Sequence, residues 1–355
     1  MPLLSVALAF AVAAAGGWAY LHWAPRQALD VPNERSSHIR PTLRGGGLVI
    51  VLGFFAGLAV WLANGGILSP RALGWLAGAV LVASVSFVDD LHPLPATPRL
   101  ITHLAGAVLL TFAGVQLAEP TAIAALLVAF VYIIVLTNVY NFMDGIDGLA
   151  AAQAIVAGAA LSIAGVLVRN PLVAISGGLL SASSLGFAIY NLPPARMFMG
   201  DVGSTFLGFS FAGLGLLANI GVGGDRLPIE FGLVLFAPFL FDGLVTLSRR
   251  VVRGERWYAA HRSHYYQRLV QCGLTHAQVT CLYTGLGVVA AGAALAGLYA
   301  SEALRVTLAL VAYVPMLAVV ALVWRLEQPN HRSNVVPSDI GSQKSEVRSQ
   351  KSEVR

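Results

Sequence analysis

Residues 138–149, with the sequence NVYNFMDGIDGL, form a polar motif that interrupts an otherwise apolar chain and around which the fold can be predicted. It follows the apolar run 122–136 and precedes another apolar run, 149–168. Its carboxylate and amide side chains recur every third residue: Asn138, Asn141, Asp144 and Asp147. On an α-helix that spacing spreads side chains over about half of the circumference. Gly145 and Gly148 instead allow the backbone to turn, which predicts that the four groups converge on one point.

Converging carboxylate and amide oxygens are hard ligands that suit Mg²⁺, so the motif predicts a magnesium site. The alternative is local: Asp147 caps the next helix, and the two asparagines satisfy the end of the previous one. The functional interpretation is favoured, because ionisable groups close to a membrane are costly and usually functional.

The composition places this motif in a membrane protein. The chain has 355 residues, of which 57% are hydrophobic and 11% are charged, and soluble domains do not have this composition. A bilayer core needs about 20 apolar residues per helix. We therefore predict an all-α, polytopic integral membrane helical bundle of about 11 transmembrane helices, the first of them retained and not a cleaved signal peptide. The runs are 3–23, 45–63, 71–88, 100–117, 121–139, 148–168, 172–190, 204–220, 229–247, 277–299 and 303–324.

The basic residues predict the orientation. Of the 22 Lys and Arg residues, 18 lie in alternate connections, namely 24–44, 89–99, 191–203, 248–276 and 325–355. Because basic residues concentrate on the cytoplasmic side, the N-terminus is predicted outside and the C-terminus inside, with the site on the cytoplasmic loops. We assign the net charge of +5 to this topology and to substrate phosphate, and we predict no nucleic-acid partner.

Three of the inner connections carry further candidate residues. Arg40 and Arg44 precede three glycines at a helix start, a pattern that favours an anion such as phosphate, although the glycines could serve only close helix packing. Adjacent Asp89 and Asp90 suit a base or a metal neighbourhood, because paired carboxylates repel each other. Asp201 completes a magnesium site or simply caps its helix.

The longest inner loop, SRRVVRGERWYAAHRSHYYQRLVQCG, combines arginines with aromatic residues and with His261 and His264. It suits a diphosphate substrate with a stacked base or sugar; the alternative is a basic helix lying on anionic lipid. Asp242 precedes this loop and is either functional or a structural partner near the membrane boundary. Residues 1–326 are predicted to form the transmembrane domain. Residues 327–355, which end in a tandem SQKSEVR, are predicted to be a disordered cytoplasmic tail.

Taken in order, these segments resemble the polyprenyl-phosphate N-acetylhexosamine-1-phosphate transferases. The match runs from PNERSSHIRPTLRGGG (32–47) through FVDD (87–90), NVYNFMDGIDGL and FMGDVGS (198–204) to the histidine loop. The resemblance implies transfer of a sugar 1-phosphate from a UDP-sugar to undecaprenyl phosphate, with release of UMP. It implies a multi-pass enzyme of the bacterial inner membrane; a homodimer is compatible with these features.

The resemblance also implies roles for individual residues. Asn141 and Asp201 would hold Mg²⁺, for which Mn²⁺ is an alternative, and Asp144 and Asp147 would lie in the same catalytic cluster. Asp89 would act as base or nucleophile, with Asp90 as its neighbour. The implied substrate-binding residues are Arg40, Arg44, Asn138, His261, Arg262 and His264.

The histidine loop departs from one branch of that family. The cell-wall enzymes, phospho-N-acetylmuramoyl-pentapeptide transferases, typically have consecutive histidines, whereas Arg262 and Ser263 separate the two here. This favours the branch that starts O-antigen and related lipopolysaccharide synthesis, with N-acetylglucosamine or a 6-deoxy sugar such as N-acetylfucosamine as donor. The cell-wall enzyme is the alternative, and a membrane transporter is a more distant one.

Overall fold

The computed structural model describes residues 2–30, 41–112, 120–220, 226–228, 230–255 and 261–328, and these residues are mainly helical. The helices are α1 (Pro2–Trp23), α2 (Leu48–Ala63), α3 (Pro70–Leu91), α4 (Ala96–Phe112), α5 (Pro120–Phe142), α6 (Leu149–Leu167), α7 (Pro171–Asn191), α8 (Gly200–Ile220), α9 (Glu230–Leu235), α10 (Ala237–Val252), α11 (Tyr265–Gln271), α12 (His276–Ala296) and α13 (Glu302–Leu326).

Seven of the described helices are long and apolar enough to cross a membrane: α1, α3, α6, α7, α8, α12 and α13. Two shorter apolar helices, α2 and residues 126–142 of α5, accompany them. The prediction of a polytopic helical membrane protein is therefore confirmed. The count of about 11 spans and the orientation with the N-terminus outside stay predictions, and the proposed tail lies outside the described residues from 329 onward.

One predicted helix is divided. A single continuous helix over 229–247 was expected, but α9 ends at Leu235 and α10 begins at Ala237, with Phe236 between them in a non-helical conformation. Pro238 is the second residue of α10. Its nitrogen cannot donate to the carbonyl four residues earlier, and its ring crowds that carbonyl. The expectation was wrong because hydropathy alone does not register this interruption.

Helix α8 lies at the centre of the bundle and is almost entirely buried. Helices α3 and α5 pack against it, and a Cβ on Gly208 would lie 2.8 Å from the Cα of Thr137. The largest helix contact joins α6 and α7, where a Cβ on Gly165 would lie 2.7 Å from the Cα of Ala174. Small residues therefore allow close helix approach, as their composition predicts.

Two short strands organise the chain before α2. Strand β1 (Leu29–Asp30) pairs antiparallel with β2 (Thr42–Leu43). The second strand also forms a parallel bridge to Met197, in the connection that leads to α8. Arg44 directly follows β2, so this small sheet places its side chain beside the start of α8.

Two backbone hydrogen bonds, from Gly46 and Gly47 to the segment before α8, continue from that bridge; we call this contact the backbone seam. Gly46 donates its N–H to the carbonyl of Phe198 at 3.0 Å, and Gly47 donates to the carbonyl of Met199 at 2.8 Å. A Cβ on Gly47 would lie 2.7 Å from the nitrogen of Gly203. The glycines therefore serve close packing, and the N–H groups of Gly46 and Gly47 are used by protein carbonyls and not offered to an anion.

Candidate active site

Asp90, at the end of α3, caps the start of α8. Its Oδ1 accepts from the backbone N–H of Asp201, and its Oδ2 accepts from that of Val202, both at 2.9 Å. Gly200 allows this approach: its φ is +73°, and a Cβ there would lie 2.5 Å from Oδ2. The alternative in which Asp201 caps its own helix is wrong, because Asp90 reaches these N–H groups from another helix.

Two arginines join the carboxylates into one cluster. Arg44 donates from Nε to Asp90 at 2.8 Å and from Nη2 to Asp201 at 2.9 Å. Arg99 donates from Nη1 to Asp89 at 3.2 Å and to Asp201 at 3.1 Å. Burial alone would lower the pKa of Arg44, but Asp201 and Asp90 raise it above its ordinary value. Arg44 therefore stays charged beside any phosphate bound here.

Asp89 is turned away from its neighbour. Its Oδ1 accepts from the backbone N–H of Leu94 at 2.5 Å, while Oδ2 faces Arg99. The adjacent carboxylates thus separate: Asp90 orders the helix start, and Asp89 faces an arginine that also holds Asp201. The sequence motif brought the two aspartates together as a pair, whereas the fold gives them different partners.

Asp144 differs from these carboxylates because none of the described residues forms a hydrogen bond or ion pair with its side chain. It lies half-buried in the turn between α5 and α6. Burial and the nearby negative charges of Asp201 and Asp90 raise its pKa well above the ordinary value, although Arg44 acts in the opposite direction. A half-buried carboxylate among other carboxylates attracts a cation.

The other three polar residues of the motif have separate partners. Asn141 accepts from the hydroxyl of Ser204 on α8 at 3.1 Å. Asn138 donates to the carbonyl of Ile134 in its own helix at 2.8 Å. Asp147 accepts from the backbone N–H of Ala195 at 3.0 Å. The expectation that all four groups meet at one point is therefore wrong, because both carboxylate oxygens of Asp147 contact other partners, Ala195 and His276.

Asp147 is also tied to α12, a contact that sequence reasoning missed. Its Oδ1 lies 3.1 Å from His276 Nδ1, and its backbone carbonyl accepts from the hydroxyl of Thr280 at 2.8 Å. Gly148 donates its N–H to Asn191 at 3.1 Å. The turn that carries Asp144 is consequently fixed to both α7 and α12. No signal in the sequence singles out His276, which lies 129 positions from Asp147.

The histidine loop contacts this turn from the other side. Tyr266 donates its hydroxyl to the carbonyl of Phe142 at 2.8 Å, and its hydroxyl occupies the place that a Cβ on Gly145 would need. The rings of His261 and His264 stack with centroids 4.9 Å apart. Tyr266 and the ring of His264, which lies 5.9 Å from that of Phe142, thus place the start of α11 beside the Asp144 turn; a common site that includes the histidines stays a prediction.

The protonation of His261 follows from its surroundings. Partial burial lowers the pKa of His261 to about 4, with smaller contributions in the same direction from the neighbouring His264 and Arg250 and an opposing one from Asp242. It is therefore neutral at physiological pH. Arg262 lies in the same loop at intermediate exposure, and Gln271 holds its carbonyl at 2.9 Å. Arg40 lies outside the described residues.

The metal-binding prediction has a specific geometric limit. Across the described parts of the chain, no three His, Cys, Asp or Glu side chains form a group that could hold a metal ion. Amide and phosphate oxygens would therefore have to complete any magnesium site at Asp144.

Like His276, Arg99 was given no role by sequence reasoning. One signal in the sequence could have pointed to it, because Arg99 is the only Lys or Arg in the connection 89–99.

Comparison with known proteins identifies the family. A model described as glycosyl transferase family 4 matches residues 72–219. A Bacillus subtilis (strain 168) protein named probable undecaprenyl-phosphate N-acetylglucosaminyl 1-phosphate transferase is 30% identical over 262 residues, covering 70% of this chain and 71% of the relative. The chain belongs to glycosyl transferase family 4. The family 4 match contains Asp89, Asp144 and Asp201 and ends before the histidine loop.

Two further relatives show the breadth of this family 4 similarity. The decaprenyl-phosphate N-acetylglucosaminephosphotransferase of Mycobacterium leprae (strain TN) is 29% identical over 307 residues, covering 76% of each chain. The phospho-N-acetylmuramoyl-pentapeptide-transferase of Mycobacterium marinum (strain ATCC BAA-535 / M) is 28% identical over 313 residues, covering 72% of this chain and 85% of the relative. Family membership therefore fixes the class of enzyme and leaves the donor sugar to other evidence.

Proposed function

We propose that this protein transfers an N-acetylhexosamine 1-phosphate from a UDP-sugar to undecaprenyl phosphate at the cytoplasmic face of a bacterial inner membrane. The observation that carries the proposal is the position of Asp144: its turn lies between the cluster of Arg44, Arg99 and Asp201 and the loop of His261 and His264. Phosphoryl transfer requires mainly positioning and charge neutralisation, which such a set of groups supplies.

The reaction exchanges one phosphoanhydride bond for another. An oxygen of the lipid phosphate attacks the phosphorus of the sugar 1-phosphate, the bond from that phosphorus to the bridging oxygen breaks, and UMP leaves. Arg44 and Arg99 would neutralise phosphate charge, and the histidine loop would hold the donor diphosphate. Asp89 would take the proton of the lipid phosphate when that phosphate arrives protonated.

Mg²⁺ is the cofactor that we propose for this site. Asp144 has no protein partner among the described residues, and Asn141 Oδ1 lies on the neighbouring last turn of α5. With Asp201 they provide hard oxygen donors. Mg²⁺ usually uses one or two carboxylates together with waters and substrate phosphates, so the lack of a three-residue cage fits this ion. Bound there, it would neutralise the diphosphate of the donor.

The donor sugar is proposed from the relatives and from the histidine loop. Relatives in Bacillus subtilis and Mycobacterium leprae are named for N-acetylglucosamine transfer, which supports N-acetylglucosamine or a 6-deoxy analogue. The interrupted histidines of this chain count against a muramoyl-pentapeptide donor. We place this transfer at the start of O-antigen or related surface-polysaccharide synthesis, because the histidine loop resembles that branch of the family.

The test is release of labelled UMP by the purified protein with Mg²⁺, undecaprenyl phosphate and a panel of UDP-sugars that includes UDP-N-acetylmuramoyl-pentapeptide. We expect release that needs both the lipid and the metal, and a loss of at least 100-fold in Asp144→Asn and Asp201→Asn. Glu230→Gln is the matched control, since Glu230 pairs with Arg305 outside the site. Release with the pentapeptide donor alone would replace the proposed substrate, and no release with any donor from folded protein would overturn the proposal.

A further inference from the structure

Asp242 is fully buried in α10 and accepts hydrogen bonds from both neighbouring helices. Its Oδ1 lies 3.1 Å from His264 Nδ1 and accepts from the backbone N–H of Tyr265 at 2.9 Å. Its Oδ2 accepts from the N–H of Tyr266 at 3.0 Å and from the hydroxyl of Tyr283 at 2.6 Å.

The bonds to Asp242 fix the start of α11. A buried carboxylate requires several donors to offset its desolvation, and here two of them are consecutive backbone N–H groups at the first turn of the helix. The third is the hydroxyl of Tyr283 on α12. Asp242 therefore holds α10, α11 and α12 together at the point where the histidine loop joins the bundle.

The same bonds determine the chemistry of His264. A carboxylate oxygen accepts, so the Nδ1 that faces Asp242 carries a proton and donates. None of the described residues forms a hydrogen bond with Nε2, which is therefore the nitrogen left for another partner. The ring is also confined by His261 at 4.9 Å and Phe142 at 5.9 Å between ring centroids. A carboxylate that fixes one ring nitrogen in this way orients the other for use.

We infer that Asp242 is the positioning residue of the active site: through Nδ1 it fixes the tautomer and orientation of His264, so that Nε2 is presented to the donor diphosphate. This inference rests on the proposed function for its substrate, whereas the Asp242 to His264 contact stands on geometry alone. Asp242 also positions Tyr266, whose backbone N–H it accepts. Because the hydroxyl of Tyr266 donates to the carbonyl of Phe142, this connects Asp242 to the Asp144 turn.

The first test is a double-mutant cycle with Asp242→Asn and His264→Gln, measured as kcat and KM for the UDP-sugar. We expect each single variant to lose about 100-fold in kcat/KM, and the double variant to lose little more, because both changes remove one arrangement. Thr246→Val is the matched control; it removes only the 3.3 Å bond from Thr246 to Asp242 and should stay within threefold of wild type. Multiplying losses, or activity of folded Asp242→Asn within threefold of wild type, would overturn the inference.

A second measurement keeps the inference testable if Asp242→Asn does not fold. The ¹⁵N spectrum of labelled histidine in the wild-type protein at pH 8.5, assigned with His264→Gln, should show His264 protonated on Nδ1 and unprotonated on Nε2. The opposite tautomer would overturn the inference. This spectrum requires no turnover, so it remains decisive even if no UDP-sugar proves to be a donor and the proposed function fails.

Discussion

Asp90 and Asp242 are two buried carboxylates that perform the same local task with different partners. Each accepts two consecutive backbone N–H groups at the start of a helix, α8 for Asp90 and α11 for Asp242. Asp90 is paired with the arginine Arg44, whereas the remaining donors to Asp242 are a histidine and two hydroxyls. The difference shows that an ion pair stabilises the start of α8 beside Asp201, whereas hydrogen bonds stabilise the start of α11 beside the histidine loop.

The largest effect is expected where the ion pair is broken. Asp90→Asn should lower the free energy of unfolding by about 3–5 kcal/mol, because it leaves the Arg44 guanidinium with less compensation and one helix N–H without an acceptor. Thermal unfolding in detergent is the measurement. Glu230→Gln, the control, breaks a more exposed ion pair and should cost under about 1 kcal/mol. Equal losses in the two variants would show that the buried Asp90 contributes no more to stability than an exposed pair.

A glycine pair tests the approach of Asp90 to α8. Gly200→Ala should cost about 2–3 kcal/mol, since it combines a positive φ with a Cβ that would lie 2.5 Å from the Asp90 carboxylate. Gly254→Ala is the matched control: its φ is +69° and nothing lies within 4 Å of its Cβ, so about 1 kcal/mol is expected. Equal melting temperatures for the two variants would contradict this account.

The Asp144 turn offers a smaller contrast between a held and an unheld carboxylate. Asp147→Asn should cost about 1.5 kcal/mol of stability through its bonds to Ala195 and His276. Asp144→Asn should cost none, because no described residue pairs with that side chain. The free energy of unfolding of each variant, measured without metal, distinguishes the two side chains. An equal loss in Asp144→Asn and Asp147→Asn would contradict the account in which only Asp147 is held by protein partners.

The smallest effect concerns pH on the histidine side. The folded pKa of His261 is lowered to about 4, so the unfolded chain, with an ordinary pKa of about 6.5, takes up a proton first as pH falls. Wild type should therefore lose stability relative to His261→Gln between pH 6.5 and 4, by up to about 1 kcal/mol after allowance for partial exposure. Parallel stability curves for the two proteins would argue against a depressed pKa.

The sequence predicted the helical membrane class, because hydropathy is a local signal, and motif order named a set of site residues whose functional roles stay predictions. It did not predict that Asp90 caps α8, since that contact joins residues 111 positions apart. Arg99 and His276 were missed for the same physical reason: single basic residues acquire their roles from partners that only folding brings near. The division at Phe236 required the position of Pro238, which the apolar pattern around it conceals.

The roles of Asn141, Asp144 and Asp201 as metal ligands stay predictions. Their oxygens lie on adjoining parts of α5, its following turn and α8, which sequence order indicated. Asp201 is also bonded to two arginines, a competition that no spacing rule reveals. Charge pairing across the bundle is therefore the part of the site that the sequence alone conceals.

The seam between the segment before α2 and the segment before α8 bears on how this enzyme could be engineered. Gly46, Gly47 and Gly203 leave no room for a side chain, and the backbone bonds there align Arg44 with Asp201. Libraries that seek a new donor sugar should keep those three glycines fixed and diversify the histidine loop, where Arg262 and Ser263 separate the two histidines. The backbone seam is thus the part of the molecule that a library should keep, and the histidine loop is the part that it can vary.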